Sequence, residues 1–384
     1  MKNYIKIITV IIISLVFADS ALSIPAFARK YNFSCNVCHF VTPKLKPFGE
    51  EFAGNGFQIP DKEPARFFRN TGDPELLLMR ELPIGLRFDL TAQYENDRKT
   101  NIDLRTPFIL KFLSGGNIAK DISYYFYYFI SERGEMAGIE DAFVMFNDLF
   151  NEDLDIYIGQ FQVSDPLFKR ELRLTQEDYK VYTTKVGQSL ATLKYERGLM
   201  FTYGLPTGTD FTFEIMNGNG IGTTEVFDVD KYKNYLLRIS QEVTENFRIG
   251  GFGYYGKEKP NDVSNELVML GGDFTVHSKN FELNTQYVYR QDDNPYFISI
   301  VPDKEIKTHG GMVELILSPD FNDSKWFGTL LFNKVDSEFN ELDYESYTAG
   351  LSYNLKRNLR IIGEYTYVKD TKTSKGTVGI IAGF

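Results

Sequence analysis

From Ile84 to the last residue, apolar and polar side chains take turns. Ile84, Leu86, Phe88, Leu90, Ala92 and Tyr94 alternate with Gly85, Arg87, Asp89, Thr91 and Gln93. A period of two is satisfied by an extended strand with unlike faces. The same texture recurs near 102–112, 118–130, 139–147, 153–162, 191–203, 210–217, 234–242, 247–255, 265–275, 281–290, 308–317, 326–335, 344–353, 359–368 and 376–384. That makes about sixteen strands, an even number, as bacterial outer-membrane barrels require. Several are long for a globular protein and right for a tilted crossing of a bilayer. Charges fall mid-strand on the polar face, which a sandwich would turn to water and a membrane barrel to a hydrated lumen.

The connections divide by length. With Ile84 starting the first strand upward, one side has short turns at 113–117, 205–209, 243–246 and 354–358, and the other has long links at 163–190, 218–233 and 291–307. Short periplasmic turns and long outer loops are the barrel habit. The longest link follows the fifth strand, where porins place a constriction loop inside the lumen. Val378, Ile380, Ala382 and Phe384 alternate up to a terminal aromatic, the usual assembly signal of such barrels. The chain has 33 Phe and 24 Tyr but 1 Trp; these rings suit interfacial girdles and equally a core. The expected fold is mostly β: an outer-membrane barrel over 81–384, seated among outer-membrane lipids.

The region before it differs. Lys2 and Lys6 precede an apolar run from Ile7 to Phe17, too short to span a bilayer as a helix, and Ala21-Leu22-Ser23 offers a small-residue cleavage site. Residues 1–23 therefore read as a secretory signal, with no cysteine at the cleavage point for lipid attachment. Residues 24–80 hold Pro25, Pro43, Pro47, Pro60, Pro64 and Pro74, a short helix expected over 43–53, and Cys35-Asn36-Val37-Cys38-His39. C-x-x-C-H is the attachment motif of a c-type haem: two thiols for thioether bonds to the vinyl groups, and an imidazole for the proximal iron position. These are the chain's 2 cysteines and one of its 3 histidines. A disulfide, a thiol redox pair and half of a zinc site are the competing readings. A redox pair would want a βαβ context, and zinc would need further ligands that the flanks lack. A region this small needs a covalent or metal staple, and one covalent haem c is such a staple.

The distal haem ligand is less evident. Met79 lies between the motif and the barrel, and Met/His ligation raises the potential; a packing role competes. His277, in a turn, and His309, near a strand's outer end, are further candidates and equally wall residues. Arg29 and Lys30 are candidates for the haem propionates. Asp292, Asp293, Asp303 and Glu305 in an outer loop would attract Fe(II). The net charge of −10 argues against nucleic acid as a partner.

Ile24-Pro25-Ala26-Phe27-Ala28-Arg29, then Cys35-x-x-Cys38-His39, then Pro43-x-Leu45-x-x-Phe48-Gly49 resembles the N-terminus of the fused outer-membrane cytochrome–porins. These are monohaem outer-membrane cytochromes proposed as iron oxidases in iron-oxidising bacteria. Tyr157-Ile158-Gly159-Gln160-Phe161 also looks like phosphate-selective porins. The resemblance implies a haem c domain plugging a porin of about sixteen strands, with electrons passing from extracellular Fe(II) to a periplasmic c-type cytochrome. Outward transfer to extracellular metal, and a diffusion porin with a haem-bearing plug, are the alternatives. A soluble peroxidase-like enzyme is the least favoured reading, because residues 24–80 offer no constellation of distal acid–base residues.

Overall fold

The chain was analysed as a computed structural model. It describes residues 26–59, 62, 68–80, 82–96, 102–222, 227–299 and 305–383. The expected signal at 1–23 and the terminal Phe384 lie outside the described residues. Four short strands come first: β1 (His39–Val41), β2 (Lys44–Leu45), β3 (Phe68–Arg69) and β4 (Leu78–Met79). Sixteen long strands follow. They are β5 (Ile84–Glu95), β6 (Ile102–Ala119), β7 (Ile122–Glu132), β8 (Gly138–Phe146), β9 (Leu154–Gln162), β10 (Tyr195–Leu205), β11 (Thr209–Met216) and β12 (Asn234–Thr244). The second eight are β13 (Phe247–Glu258), β14 (Asn265–His277), β15 (Phe281–Asp292), β16 (Ile306–Leu317), β17 (Trp326–Ser337), β18 (Tyr344–Lys356), β19 (Leu359–Val368) and β20 (Thr373–Gly383).

Each strand pairs antiparallel with its sequence neighbours, and β20 closes onto β5 from Lys375↔Glu95 to Gly383↔Arg87. Closure leaves no unpaired edge, as lipid demands. The faces are inverted relative to a soluble protein. In β12, Leu237 is 50% exposed and points outward, while its neighbour Arg238 is 2% exposed and points inward. Outward aromatics gather at two heights: Phe274, Phe281 and Trp326 near the short turns, and Tyr235, Tyr255, Tyr347 and Tyr365 near the long loops. An outward apolar band between aromatic girdles makes this a membrane-spanning barrel of the outer-membrane type.

Two boundaries differ from the sequence expectation. The turn expected at 113–117 is strand: Gly115 pairs with Tyr125 and Gly116 with Tyr124, and the chain reverses at Lys120–Asp121. Gly115 is bare because the N-terminal segment comes close, while Gly116 makes only ordinary contact with it. A Cβ on Gly115 would meet the rings of Phe57 and Phe27, and one on Gly116 would meet Met79 and Pro83. The strand expected from 191 begins at Tyr195, because Ala191 and Leu193 are packed inside the lumen as part of the preceding loop.

The N-terminal segment is built on aromatic contacts. Helix α1 (Ala26–Tyr31) and helix α2 (Pro47–Gly54) bracket the β1–β2 hairpin. The expected helix starts at Pro47, not Pro43. Pro47 fits a first helical position, where the missing N–H is no loss, whereas Pro43 lies in the hairpin. Phe27 stacks on Phe57 at 4.6 Å, and Phe52 meets Phe27, Tyr31 and Phe57 edge-on at 5.5–5.9 Å. Every barrel residue it bonds near the short turns adds to one footing. Arg29 Nη2 donates to the Ile84 carbonyl (2.7 Å), Lys30 Nζ to Asn117 Oδ1 (2.8 Å), and Lys44 pairs with Glu282 (2.6 Å). Phe57 stacks on Tyr125 at 4.9 Å, and Phe40 meets Phe321 edge-on at 5.2 Å.

Candidate functional site

Cys35–Val37 form one turn of 3-10 helix, and the Cys38 N–H donates to the Cys35 carbonyl. This turn brings the two thiols onto one side; they form no disulfide. His39 opens β1, and its Nδ1 lies 3.1 Å from the Pro43 carbonyl oxygen across the hairpin. With Nδ1–H donating there, Nε2 is the nitrogen that would be presented to a metal, an arrangement common to metal-bound histidines. Helix α2 closes the other flank. A Cβ on Gly49 would overlap the carbonyl oxygen of Cys38, so the helix touches the motif backbone directly. Lys46 N–H also donates to that carbonyl at 2.8 Å.

Cys35, Cys38 and His39 line one cavity of about 1470 Å³, together with Phe33, Phe40 and Phe52. Sites for small molecules and cofactors run to roughly 300–1,000 Å³, so a macrocycle has room. Burial raises both thiols above their ordinary value, keeping them protonated, and lowers the His39 imidazole, keeping it neutral. A neutral imidazole is the ligating form. Free adjacent thiols, a neutral imidazole oriented by a carbonyl, and an aromatic-lined cavity fit a covalently held haem c.

The other residues singled out from sequence are scattered. Met79 packs against the outward side of Gly116 and beside Pro83, and is not among the residues lining the motif's cavity. Met145 and Met200, on the barrel wall, do line it, as does His277. Distance along the chain hid the two methionines from sequence reasoning, whereas His277 was a candidate from the start. His309 pairs with Tyr289 and Asp336 at the long-loop end. Arg29 and Lys30 face barrel partners and do not line the cavity. Asp292 is 0% exposed and engaged by Arg290 at 2.6 and 2.7 Å, a structural ion pair. Glu305 lies 3.7 Å from Lys307, and Asp303 lies outside the described residues. Among the described residues no three His, Cys, Asp or Glu side chains converge as a metal site.

Above the cavity stands the loop of residues 163–194, folded into the lumen as its place after the fifth barrel strand predicts. It is pinned to the wall all round. Glu171 accepts from Lys111 (2.8 Å), Tyr179 donates to Glu314 (3.0 Å) and Tyr182 to Gln286 (3.1 Å). The N–H groups of Gln176 and Glu177 donate to Glu364 (2.6 and 3.1 Å), and Arg290 donates to Ala191 and Ser189. Its apolar residues do more than narrow the lumen. Val163, Leu167, Phe168, Tyr179, Tyr182, Ala191 and Leu193 pack in one cluster with wall residues including Met145, Met200, Met216, Met269 and Met312. Five of the chain's 8 methionines thus point inward at this level, where their flexible thioethers fill irregular gaps. At the lower edge, Leu174 packs with Val41, Ile316, Phe321 and Phe327. The loop and the motif's own hairpin therefore share a core.

Comparison with solved structures settles the architecture. An anion-selective porin from Comamonas acidovorans aligns over 79% of this chain and 99% of its own, with a TM-score of 0.61 at 11% identity. The fold is the sixteen-stranded porin barrel. Salmonella typhi OmpF, solved with daunomycin, aligns over 81% of this chain and 98% of its own (TM-score 0.58, 13% identity). A loop-deletion form of OmpT from Vibrio cholerae aligns over 79% and 99% (TM-score 0.54, 11% identity). No protein-family model and no curated protein matches the sequence. Identities this low carry the porin fold and nothing finer.

Proposed function

We propose that this porin barrel is an electron-transfer protein of the outer membrane, with one covalent haem c held through Cys35 and Cys38 and His39 as its proximal ligand. The observation that carries the reading is the arrangement of these three side chains on one cavity at the short-turn mouth, with His39 Nδ1 committed to Pro43. Bound there, a haem would supply a one-electron iron couple. The chain's own part is to present the two free thiols side by side before attachment, hold the imidazole neutral and oriented, and wrap the site in aromatic side chains. The apolar loop above favours the same reading, because packed side chains oppose solute flow while a bound redox group needs no open channel. The resemblance to cytochrome–porins adds extracellular Fe(II) as donor and a periplasmic c-type cytochrome as acceptor.

A second reading, a diffusion porin with a haem-bearing plug, is favoured by the porin fold itself and by the size of the cavity. Two measurements separate them. The pyridine haemochrome spectrum of the purified protein is expected to give one c-type haem per chain, absent from Cys35→Ser/Cys38→Ser. Stopped-flow mixing with Fe(II) is expected to reduce it, while planar-bilayer conductance stays well below that of an open porin. Open-channel conductance from a chain without haem would sink the electron-transfer reading. Haem that ignores Fe(II) but, once reduced, gives its electron to Fe(III) would reverse the direction.

A further inference from the structure

Arg360, on β19, is 2% exposed and lines the cavity that holds Cys35, Cys38 and His39. Its Nε and Nη1 have no hydrogen-bond partner among the described residues. The carboxylates near it are committed elsewhere. Asp89 accepts from Arg87 Nε (2.9 Å) and Nη2 (2.8 Å), and Glu364 accepts the loop N–H groups of Gln176 and Glu177. Arg87 is a second cation on the same stretch of wall, and Lys111, bound to Glu171, is a third. A buried guanidinium whose N–H groups lack hydrogen-bond partners is costly. Its planar fork is matched by a carboxylate or a phosphate.

We propose that Arg360 anchors an oxyanion site inside this cavity, taking a carboxylate or phosphate group. Its position ties it to the motif. Three residues earlier, the Arg357 carbonyl accepts the Thr42 hydroxyl at 3.4 Å, from the same hairpin that orients His39. Two sources offer the chemistry. One is a carboxylate of the haem itself, which rests on the function proposed above. The other is a free oxyanion entering from the short-turn mouth, which does not. The sequence expectation placed this role on Arg29 and Lys30, which the fold turns toward the barrel instead.

The test compares wild type, Arg360→Gln and Arg360→Lys, with Arg133→Gln as the control at an exposed arginine that does not line the cavity. Heat-modifiable migration on gels confirms barrel assembly. In haem-loaded protein, the resonance Raman propionate band is expected to shift in Arg360→Gln and to return toward wild type in Arg360→Lys; this assigns the haem carboxylate. If the chain carries no haem, or the band does not move, phosphate is titrated calorimetrically into wild type and Arg360→Gln. Binding weakened by about tenfold in Arg360→Gln assigns a free oxyanion and leaves the site standing even if the haem reading fails. No phosphate binding to the wild-type protein, together with either a propionate band that does not move or a chain that carries no haem, overturns the proposal.

Discussion

At the residue scale the motif declares itself and its surroundings do not. Cys35, Cys38 and His39 are adjacent in sequence, so spacing alone names them. The Pro43 carbonyl that orients His39, the wall methionines Met145 and Met200, and Arg360 arrive through tertiary structure. No periodicity distinguishes Arg360 from any other inward residue of an alternating strand. Met79 was legible only as the nearest methionine along the chain; the fold places it opposite Phe68 in the β3–β4 pair and against Gly116. Gly49 yields a direct test, because its missing Cβ is what lets α2 sit on the Cys38 carbonyl. Gly49→Ala forces the helix off, an overpacking cost of about 1–3 kcal/mol. Haem content per chain is expected to fall, and limited proteolysis of the N-terminal segment to speed up, while the barrel still migrates as a folded species. Unchanged haem content and proteolysis would mean that α2 does not brace the motif.

At the element scale the strands were readable because a barrel writes its lumen and lipid faces into alternate residues. All sixteen were marked by that alternation, and the misplaced β6–β7 turn came from two in-strand glycines, of which Gly115 serves a close approach rather than a reversal. The in-lumen loop was readable by its length and place, but its apolar packing was not, since its residues lack a period. Its ion pairs give it a pH signature. Burial alone would raise the Glu171 carboxyl from its ordinary 4.5, yet Lys111 and Arg173 beside it bring it down to about 2. Asp178 is likewise held low against burial by Arg173 and Arg170, whereas burial raises Asp165 despite its Lys169 partner. A carboxyl depressed in the folded state adds stability above its unfolded value and loses it as pH falls toward the folded one. Glu171 therefore holds the loop fully above about pH 4.5 and releases it progressively down to about pH 2. Planar-bilayer conductance is expected to rise across that window. Glu171→Gln, which leaves Lys111 buried without its partner, is expected to raise it already at pH 7. Equal conductance in both proteins at both pH values would mean that apolar packing alone keeps the loop in place.

At the scale of the whole molecule, the inversion of faces decides where the protein lives. Leu237, outward and mid-strand in β12, would be an unremarkable surface leucine in water. In a bilayer, Leu237→Arg is expected to lower the unfolding free energy by about 2–4 kcal/mol. Denaturant titration in lipid vesicles measures it, and a change near zero would place this position outside the hydrocarbon. The N-terminal segment, for its part, touches points that lie far apart around the ring: β5 through Arg29, β6 through Lys30, β15 through Lys44 and the β18–β19 turn through Thr42. The Thr42–Arg357 bond joins residues 315 apart in sequence. A contact of that span cannot form until the strands between have been laid down. The part of the chain made first is therefore the part that completes its docking last, and that docking reports a finished ring.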